Sequence, residues 1–187
     1  MEKIAYGMIG GGPGAFIGDV HRKAIRIDGL AELKAGCFSR DAAKSKAFGA
    51  ELGVAEDRLY TDYQQMAKAE AKRSDGIKFA VCVTPNASHY EICKAFLSEG
   101  IHVVCDKPLT WTIEQSQELA DICKKKGLLF AVTYTYTGYP AVKQMRKMVK
   151  DGMLGNIRFV NAEYPQDWLA NPVDEHSSIA PWRMDPK

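Results

Sequence analysis

A strand, a run of glycines and a helix follow one another at the start of this chain. The apolar run IAYGMI at residues 4–9 predicts a strand, and apolar residues at helical spacing from Val20 to Ile27 predict a helix. The sequence GGGPGA at residues 10–15 lies between them. Because this order forms the first half of a βαβ unit that binds dinucleotides, it constrains the fold more than any other feature of the sequence.

The positions in the glycine run differ in what they allow. Gly10 permits a tight turn out of the strand, and Gly12 has no Cβ, so the backbone can approach a pyrophosphate. Ala15 is small enough for the helix to pack on the strand, and the free N–H groups at the helix start would face the phosphates. The residues that we expect to contact a nucleotide here are Gly10, Gly12, Pro13, Gly14, Ala15 and Phe16.

Two alternatives to dinucleotide binding remain open at this point. Glycine-rich turns occur in many loops that bind no ligand, and S-adenosylmethionine-dependent methyltransferases also have a glycine-rich first loop. The loop alone therefore does not identify the ligand, and the ligand class depends on residues elsewhere in the chain.

The composition excludes several classes of protein. The 187 residues are 46% hydrophobic and 26% charged, which is ordinary for a soluble globular protein. A formal net charge of +2 gives no basic stripe for nucleic acid, and no apolar run approaches the ~20 residues of a membrane span. The first apolar stretch ends in the glycines, so we predict no signal peptide. We expect a cytoplasmic protein without nucleic-acid or membrane partners.

The cysteines do not indicate a disulfide or metal framework. They are odd in number and contain no C-x-x-C pair. We expect them to be small buried hydrophobic residues in a reducing compartment, and we predict no metal site. The five are Cys37, Cys82, Cys93, Cys105 and Cys123.

The end of the second predicted strand, residues 33–38, bears on the type of dinucleotide. An Asp or Glu there accepts a hydrogen bond from the ribose 2′-hydroxyl of NAD and repels the extra phosphate of NADP. This sequence instead has the hydroxyl of Ser39 and the guanidinium of Arg40, which suit a phosphate. Asp41 is better placed as the N-cap of a helix over 42–52. The pattern favours NADP over NAD, unless Arg40 is only a solvated charge at the helix start.

The rest of the chain alternates predicted strands with predicted helices. The strands are 78–83, 101–105 and 128–136, and the helices are 61–72, one that ends near residue 99, and 112–126. This alternation predicts an α/β fold with a doubly wound parallel sheet, which binds ligands at the carboxyl ends of its strands. The candidate site residues that follow two of these strands are Thr84, Pro85, Asn86, His89, Asp106, Lys107 and Pro108.

Two of these residues have competing interpretations. His89 is either a donor that faces the ligand or a surface histidine in the first turn of a helix, and its position in the loop favours the ligand. Lys107 is either a surface lysine in a turn or part of the site. Pro108 disfavours a helical backbone at Lys107, so the ammonium group can be held toward the cleft.

With these residues the chain resembles the Gfo/Idh/MocA family, which includes glucose–fructose oxidoreductase and inositol dehydrogenase. The matching segments are GGGPGAFIGDVHRKA at 10–24, TPN-x-x-H at 84–89, CDKPL at 105–109, YTYTGYP at 134–140 and DGMLGNIRFV at 151–160. The resemblance implies a Rossmann-type sheet and an NAD(P)-dependent dehydrogenase that acts on a sugar, polyol or related hydroxyl compound.

The resemblance also implies roles for individual residues. In the family, the lysine of an E-K-P motif lies near the nicotinamide and the reacting hydroxyl, so Lys107 is expected to be catalytic. The family's Lys–Pro bond is commonly cis, which would make Pro108 part of the geometry of the site. Asn86 and His89 would contact the cofactor or its surroundings. The residues expected to face the substrate are Tyr136 and Thr137.

The sequence departs from the family pattern at two points. Asp106 stands in place of the usual Glu and keeps its charge. The family's general base is a histidine in a D-x-x-x-H motif, whereas none of the four histidines here has an Asp four residues before it. A segment like PWRMDPK at 181–187 precedes that motif in the family. We therefore expect this chain to bind cofactor with little turnover. The alternative is a non-catalytic nucleotide-binding module or redox sensor.

Two domains are expected along the chain. Residues 1–137 would form the NAD(P)-binding domain, and residues 138–187 the truncated beginning of an α+β substrate domain. Alternation of residue types at 156–164 predicts one strand of this second domain, and the tail from 164 to 187, with Trp168 and Trp182, is expected to be extended. We expect the full-length protein to form a homo-oligomer.

Overall fold

The computed structural model describes residues 2–167, and the chain separates into two compact units after Gly138. The strands, all in the first unit, are β1 (Ile4–Gly10), β2 (Ala31–Cys37), β3 (Phe79–Val83), β4 (His102–Cys105) and β5 (Phe130–Val132). The helices are α1 (Phe16–Ile27), α2 (Ala42–Glu51), α3 (Tyr63–Lys72), α4 (His89–Ser98), α5 (Ile113–Lys126) and, in the second unit, α6 (Pro140–Lys150). The predicted tail with Trp168 and Trp182 lies outside the described residues from position 168 onward.

The five strands form one parallel sheet in the order β2-β1-β3-β4-β5. The chain moves from β1 outward to β2, then returns past β1 to β3, so the strand order reverses beside β1. Open parallel sheets bind ligands outside the carboxyl ends of the strands at such a reversal. The predicted doubly wound α/β fold is confirmed, and the glycine run at residues 10–15 lies at the reversal.

Apolar side chains cover both faces of the sheet, as the nearly uninterrupted apolar strands predict. In one cluster, Met66 of α3 and Phe96 of α4 are completely buried. In the other, Met8 of β1 is completely buried beside Phe38, which follows β2. This packing fixes the positions of the strands, and therefore of the loops that leave their carboxyl ends.

Polar residues that cap the helices determine where the helices begin. Asp41 accepts a hydrogen bond from the backbone N–H of Lys44 at 3.0 Å and begins α2, as predicted. The pattern of a capping box places the start of α3 at Thr61, but the N-cap is Asp62, which accepts from the backbone N–H of Gln65 at 2.7 Å. Both residues have a glutamine three positions later, and the carboxylate of Asp62 interacts better with the positive end of the helix.

Two strand predictions near the end of the chain are wrong. The last strand covers Phe130–Val132 rather than 128–136, because its partner β4 ends at Cys105 and the chain then enters the 3₁₀ turn Thr135–Gly138. No strand forms at 156–164, and no other strand in the described part of the second unit is available to satisfy its backbone. An alternating pattern therefore predicts a strand only where a neighbouring strand can pair with it.

The cysteines are all free thiols. The predicted burial is confirmed for Cys37, Cys82, Cys93 and Cys105, while Cys123 is half-buried. Their packing is therefore that of small hydrophobic residues.

Among the described residues, no helix combines the length and the hydropathy that crossing a membrane requires.

Candidate active site

The glycine run forms a tight turn between β1 and α1. Gly10 and Gly14 have φ angles of +83° and +75°, in the left-handed region that favours glycine. The backbone N–H of Ala15 donates to the carbonyl oxygen of Gly12 at 3.0 Å. A Cβ on Gly12 would lie 2.6 Å from the carbonyl oxygen of Phe38, so the turn packs directly against the chain that leaves β2.

Helix α1 starts at this turn without a capping side chain. Its N-cap is Ala15, which makes no side-chain hydrogen bond to the helix, so the first N–H groups have no side-chain acceptor. Helix starts of this kind bind phosphate groups. Pro13 and Gly14 are exposed next to them, and Phe16 is 81% exposed. The arrangement fits the diphosphate of a dinucleotide.

Arg22 supports the glycine turn, although no pattern in the sequence points to this residue. Its Nη1 donates to the carbonyl oxygen of Gly11 at 3.0 Å, and its guanidinium lies 5.3 Å from the centroid of the Phe48 ring. A positive charge close behind the turn adds to the positive potential at the start of α1. The contact depends on how the loop folds back on the helix, and no spacing pattern in the sequence reveals it.

The residues after β2 lie beside the glycine turn, where the adenosine ribose was expected. Ser39 Oγ accepts from the backbone N–H of Asp41 at 3.1 Å, and the Asp41 carboxylate is used as the cap of α2. Arg40 is exposed, and its guanidinium has no hydrogen bond or ion pair within residues 2–167. This segment therefore has an unpaired guanidinium at Arg40, whereas the carboxylate of Asp41 already caps α2.

The loop after β3 is adjacent to the glycine turn, because Val83 pairs with Gly10 in the sheet. The hydroxyl of Ser88 donates to Thr84 Oγ1 at 2.8 Å, which closes the loop over the 3₁₀ turn Asn86–Ser88. Pro85 is exposed and Asn86 half-buried. The structure thus brings Thr84, Pro85 and Asn86 to the same edge of the sheet as the glycine run.

Lys107 lies in the turn that follows β4. The Lys107–Pro108 peptide bond is cis, and the exposed side chain of Lys107 has no hydrogen bond or ion pair among the described residues. Its neighbour Asp106 is held by two other elements. Asp106 Oδ1 accepts from the hydroxyl of Thr133 at 2.9 Å, and Nε2 of His21 lies 3.8 Å from the same oxygen. The ammonium group is therefore available to a ligand while the backbone beside it is fixed.

Asp106 stays ionised at neutral pH. Burial acts to raise the pKa of this carboxyl group, but His21, the backbone N–H of Lys107 and the hydroxyl of Thr133 together lower the pKa below its ordinary value. Because the pKa is lower in the folded than in the unfolded chain, the carboxylate contributes stability at neutral pH. That contribution is lost as the pH falls through the folded-state pKa. His21, on α1, is a further site residue that the sequence did not indicate.

His89 lies inside the protein rather than at the exposed surface of its loop. Its side chain is completely buried, with Nδ1 2.7 Å from the carbonyl oxygen of Pro108 and Nε2 2.8 Å from that of Thr84. Both nitrogens are engaged by the protein, and the ring forms a bridge between two loops. The first residue of a helix can face either a ligand or the sheet, and the sequence does not distinguish the two.

Two thiol groups lie beside the buried ring of His89, and a third contacts both of them. Cys82 of β3 and Cys105 of β4 are paired in register, and Cys93 lies one turn after His89 in α4. The potential ligand atoms of Cys82, His89 and Cys105 lie within 4.8 Å of one another. The sequence predicts no metal here. Since both nitrogens of His89 are directed at carbonyl oxygens, the ring has no nitrogen free for a metal in this arrangement.

Tyr136 and Thr137, the predicted substrate residues, belong to the 3₁₀ turn Thr135–Gly138. Both are exposed, and the hydroxyl of Thr137 donates to the carbonyl oxygen of Tyr134 at 2.7 Å. The turn follows the carboxyl end of β5, which pairs with β4. These residues therefore lie on the same edge of the sheet as Lys107.

The predicted residues thus gather along the carboxyl edge of one sheet. A family model described as an oxidoreductase family with an NAD-binding Rossmann fold matches residues 4–134. The chain belongs to this family, Gfo/Idh/MocA. Membership confirms the resemblance drawn from the motifs, and it leaves the methyltransferase interpretation without support.

Relatives of known name agree with this assignment. The chain is 43% identical over 187 residues to the uncharacterized oxidoreductase YfiI of Bacillus subtilis, covering 99% of this chain and 48% of YfiI. It is 30% identical to levoglucosan dehydrogenase of Pseudarthrobacter phenanthrenivorans, covering 98% of this chain and 45% of that protein. The crystal structure of an inositol dehydrogenase homolog from Azotobacter vinelandii, complexed with NADH and myo-inositol, is 41% identical with a TM-score of 0.80, covering 84% of this chain and 41% of that one. The chain spans about half the length of these family members.

Proposed function

We propose that this chain binds a nicotinamide dinucleotide along the carboxyl edge of its sheet and takes part in hydride transfer to or from a hydroxyl group of a sugar or polyol. The observation that carries the proposal is the uncapped start of α1 behind a turn in which Gly12 leaves no room for a Cβ. Backbone N–H groups placed in this way suit a diphosphate. The names of the dehydrogenases to which the chain is similar support the sugar or polyol class of substrate.

Lys107 is the residue that we assign to the chemical step. Its ammonium group can donate a hydrogen bond to the substrate oxygen and stabilise the negative charge that develops as the hydroxyl proton leaves. When bound, the nicotinamide ring supplies the acceptor or donor of the hydride. Asp106 and Pro108 hold the backbone on either side of Lys107, so the site needs little ordering when substrate binds. Tyr136 and Thr137 are proposed to face the substrate.

The 187 residues contain no D-x-x-x-H motif, the form expected of the family's general base. No Asp stands four residues before any of the four histidines. His21 and His89 are also buried, His21 beside Asp106 and His89 between two carbonyl oxygens. We therefore propose that this chain by itself binds the cofactor and turns substrate over slowly.

Saturable binding of NADPH or NADH is the result that tests the proposed function. A titration followed by the fluorescence of the reduced nicotinamide should saturate at one cofactor per chain, because the chain has one glycine turn of this kind. With the oxidised cofactors, a panel of sugars and polyols should give almost no rate. A folded sample that binds neither reduced cofactor would reject the proposal.

Lys107→Met is a matched variant for the same titration, because it removes the ammonium group but keeps the length of the side chain. Cofactor affinity should stay near the wild-type value, since the glycine turn that is proposed to bind the diphosphate is unchanged. In a longer version of the protein that turns a polyol over, the rate should fall by about a hundredfold or more. A variant with an unchanged rate would make Lys107 a surface lysine.

A preference for NADP over NAD is proposed from Arg40. Arg40→Ala is expected to weaken NADPH binding by about tenfold, because it removes the cation that would pair with the 2′-phosphate. NADH affinity should not change, since that cofactor lacks this phosphate. Parallel titrations with both cofactors measure the difference. Lys46→Ala removes an equal exposed charge within α2 and serves as the control. Equal losses for both cofactors, or equal effects of both variants, would contradict the preference.

A non-catalytic nucleotide-binding module is the second candidate, and the missing D-x-x-x-H base favours it. Both candidates predict cofactor binding, so the titration does not separate them. The intact mass of the protein from its native source does. A longer polypeptide would favour the enzyme, and a mass that corresponds to a chain ending near Lys187 would favour the module.

A further inference from the structure

The ring of His89 lies between two backbone carbonyl groups and is completely buried. Nδ1 is 2.7 Å from the oxygen of Pro108, and Nε2 is 2.8 Å from the oxygen of Thr84. A carbonyl oxygen can only accept a hydrogen bond, so each ring nitrogen must donate one. A neutral imidazole has only one N–H and would direct the lone pair of its other nitrogen at a carbonyl lone pair. The two short distances together therefore require a proton on each nitrogen.

His102 shows the opposite arrangement in the same chain. Its Nδ1 lies 3.1 Å from the backbone nitrogen of Leu129, which carries a proton to donate. Nδ1 of His102 must therefore be an acceptor without a proton. The two histidines thus differ in the protonation that their partners demand, and His102 is an internal reference for His89.

A positive ring in a buried position needs a negative partner nearby. The titratable groups beside His89 are the thiols of Cys82 on β3 and Cys105 on β4, and both thiols contact that of Cys93 on the helix of His89. Contacts from the Cys105 and Cys93 thiols lower the pKa of Cys82, burial opposes them, and Thr84 and the His89 ring lower it further. Contact with the Cys105 and Cys82 thiols chiefly raises the pKa of Cys93, and contact with Cys82 chiefly raises the pKa of Cys105, while Cys93 acts to lower it. Of the three thiols, only that of Cys82 has a lowered pKa, so it is the group in this cluster best suited to balance a positive ring.

The bridge through His89 acts on the segment that contains Lys107. Pro108, next to Lys107, is tied through His89 to the Thr84 loop, while Asp106 on the other side is tied to Thr133. We propose that His89 is a positioning residue, a doubly protonated ring that holds the Lys107 segment against the loop after β3. The role of Lys107 toward a substrate rests on the proposed function, whereas the protonation state of the His89 ring does not.

Nitrogen-15 NMR of the chain labelled in its histidines tests this directly. At neutral pH, both ring nitrogens of His89 should carry a directly bonded proton, and His102 should have an unprotonated Nδ1. Signals are assigned by single substitutions, and if His89→Gln does not fold, substitution of the other three histidines leaves the His89 pair by exclusion. An unprotonated nitrogen in His89 overturns the proposal. The measurement needs no cofactor. The proposal about His89 can therefore be overturned in a protein that binds NADPH and supported in one that does not.

Amide hydrogen exchange tests the positioning role itself. In His89→Gln, exchange at residues 106–110 should rise by about tenfold, because one glutamine amide cannot donate to both carbonyl oxygens at opposite sides of the ring position. Exchange in β1 should not change, which separates the local effect from global loss of stability. His102→Gln is the matched control and should leave residues 106–110 unaffected. An unchanged rate at 106–110 in His89→Gln, or an equal rise throughout the sheet, overturns the role.

Discussion

Gly12→Ala is expected to weaken the binding of NADPH and NADH by about tenfold to a hundredfold. The added Cβ would lie 2.6 Å from the carbonyl oxygen of Phe38, and because this oxygen belongs to the backbone, no change of a side-chain rotamer relieves the contact. The turn must therefore move away from the end of β2. Overpacking of this kind typically destabilises a protein by about 1–3 kcal/mol. The same movement shifts the first N–H groups of α1 away from a diphosphate. Fluorescence titration with each cofactor measures the loss.

Gly138→Ala is the control for this substitution, because no atom lies within 4 Å of the added Cβ and the φ angle is not in the left-handed region. It should leave cofactor affinity and the melting temperature unchanged. Melting curves of the Gly12 variant show whether the sheet has also been disturbed. If Gly12→Ala binds both cofactors with wild-type affinity, the diphosphate does not lie on this turn and the proposed cofactor site is wrong.

The elements that the sequence predicted well are those with a local cause. The buried strand at Phe79–Val83 is almost continuously apolar, and only a strand covered on both faces has that pattern. The glycine turn also has a local cause, because a strand, glycines and a helix must follow one another in the chain. Asp41 caps α2 through an atom three residues away. In each case the information lies within a short window of sequence.

The features that the sequence did not reveal depend on contacts between distant segments. The sequence places His89 in the loop after β3, but the direction of its ring depends on Pro108, which follows β4. The contact of His21 with Asp106 joins the first helix to the end of β4. The predicted strand at 156–164 has the right alternation but lacks a partner among the described residues of its unit. A sequence pattern indicates on which face of its helix or strand a residue lies. Only the fold determines which distant residues that face contacts.

The buried pair of Arg58 and Glu70 is another such contact, and removing one partner is expected to be strongly destabilising. Both side chains are almost completely buried, and the guanidinium donates to both carboxylate oxygens of Glu70. The hydroxyl of Tyr60 and the backbone N–H of Ile77 donate to the same carboxylate, at 2.9 and 3.2 Å. Burial, and next the hydrogen bond to Glu70, raise the pKa of Tyr60 to about 12, so it keeps the proton that it donates.

Glu70→Gln should reduce the free energy of unfolding by about 3–5 kcal/mol, because it leaves the charge of Arg58 buried without its partner. Urea unfolding of the first unit, followed by circular dichroism, measures the loss. Asp75→Asn is the matched control: Asp75 contacts the same guanidinium at 3.3 Å, but its side chain is 62% exposed. That change should alter stability by less than about 1 kcal/mol, because water already screens the exposed pair. Equal losses in the two variants would mean that burial does not decide the strength of this network.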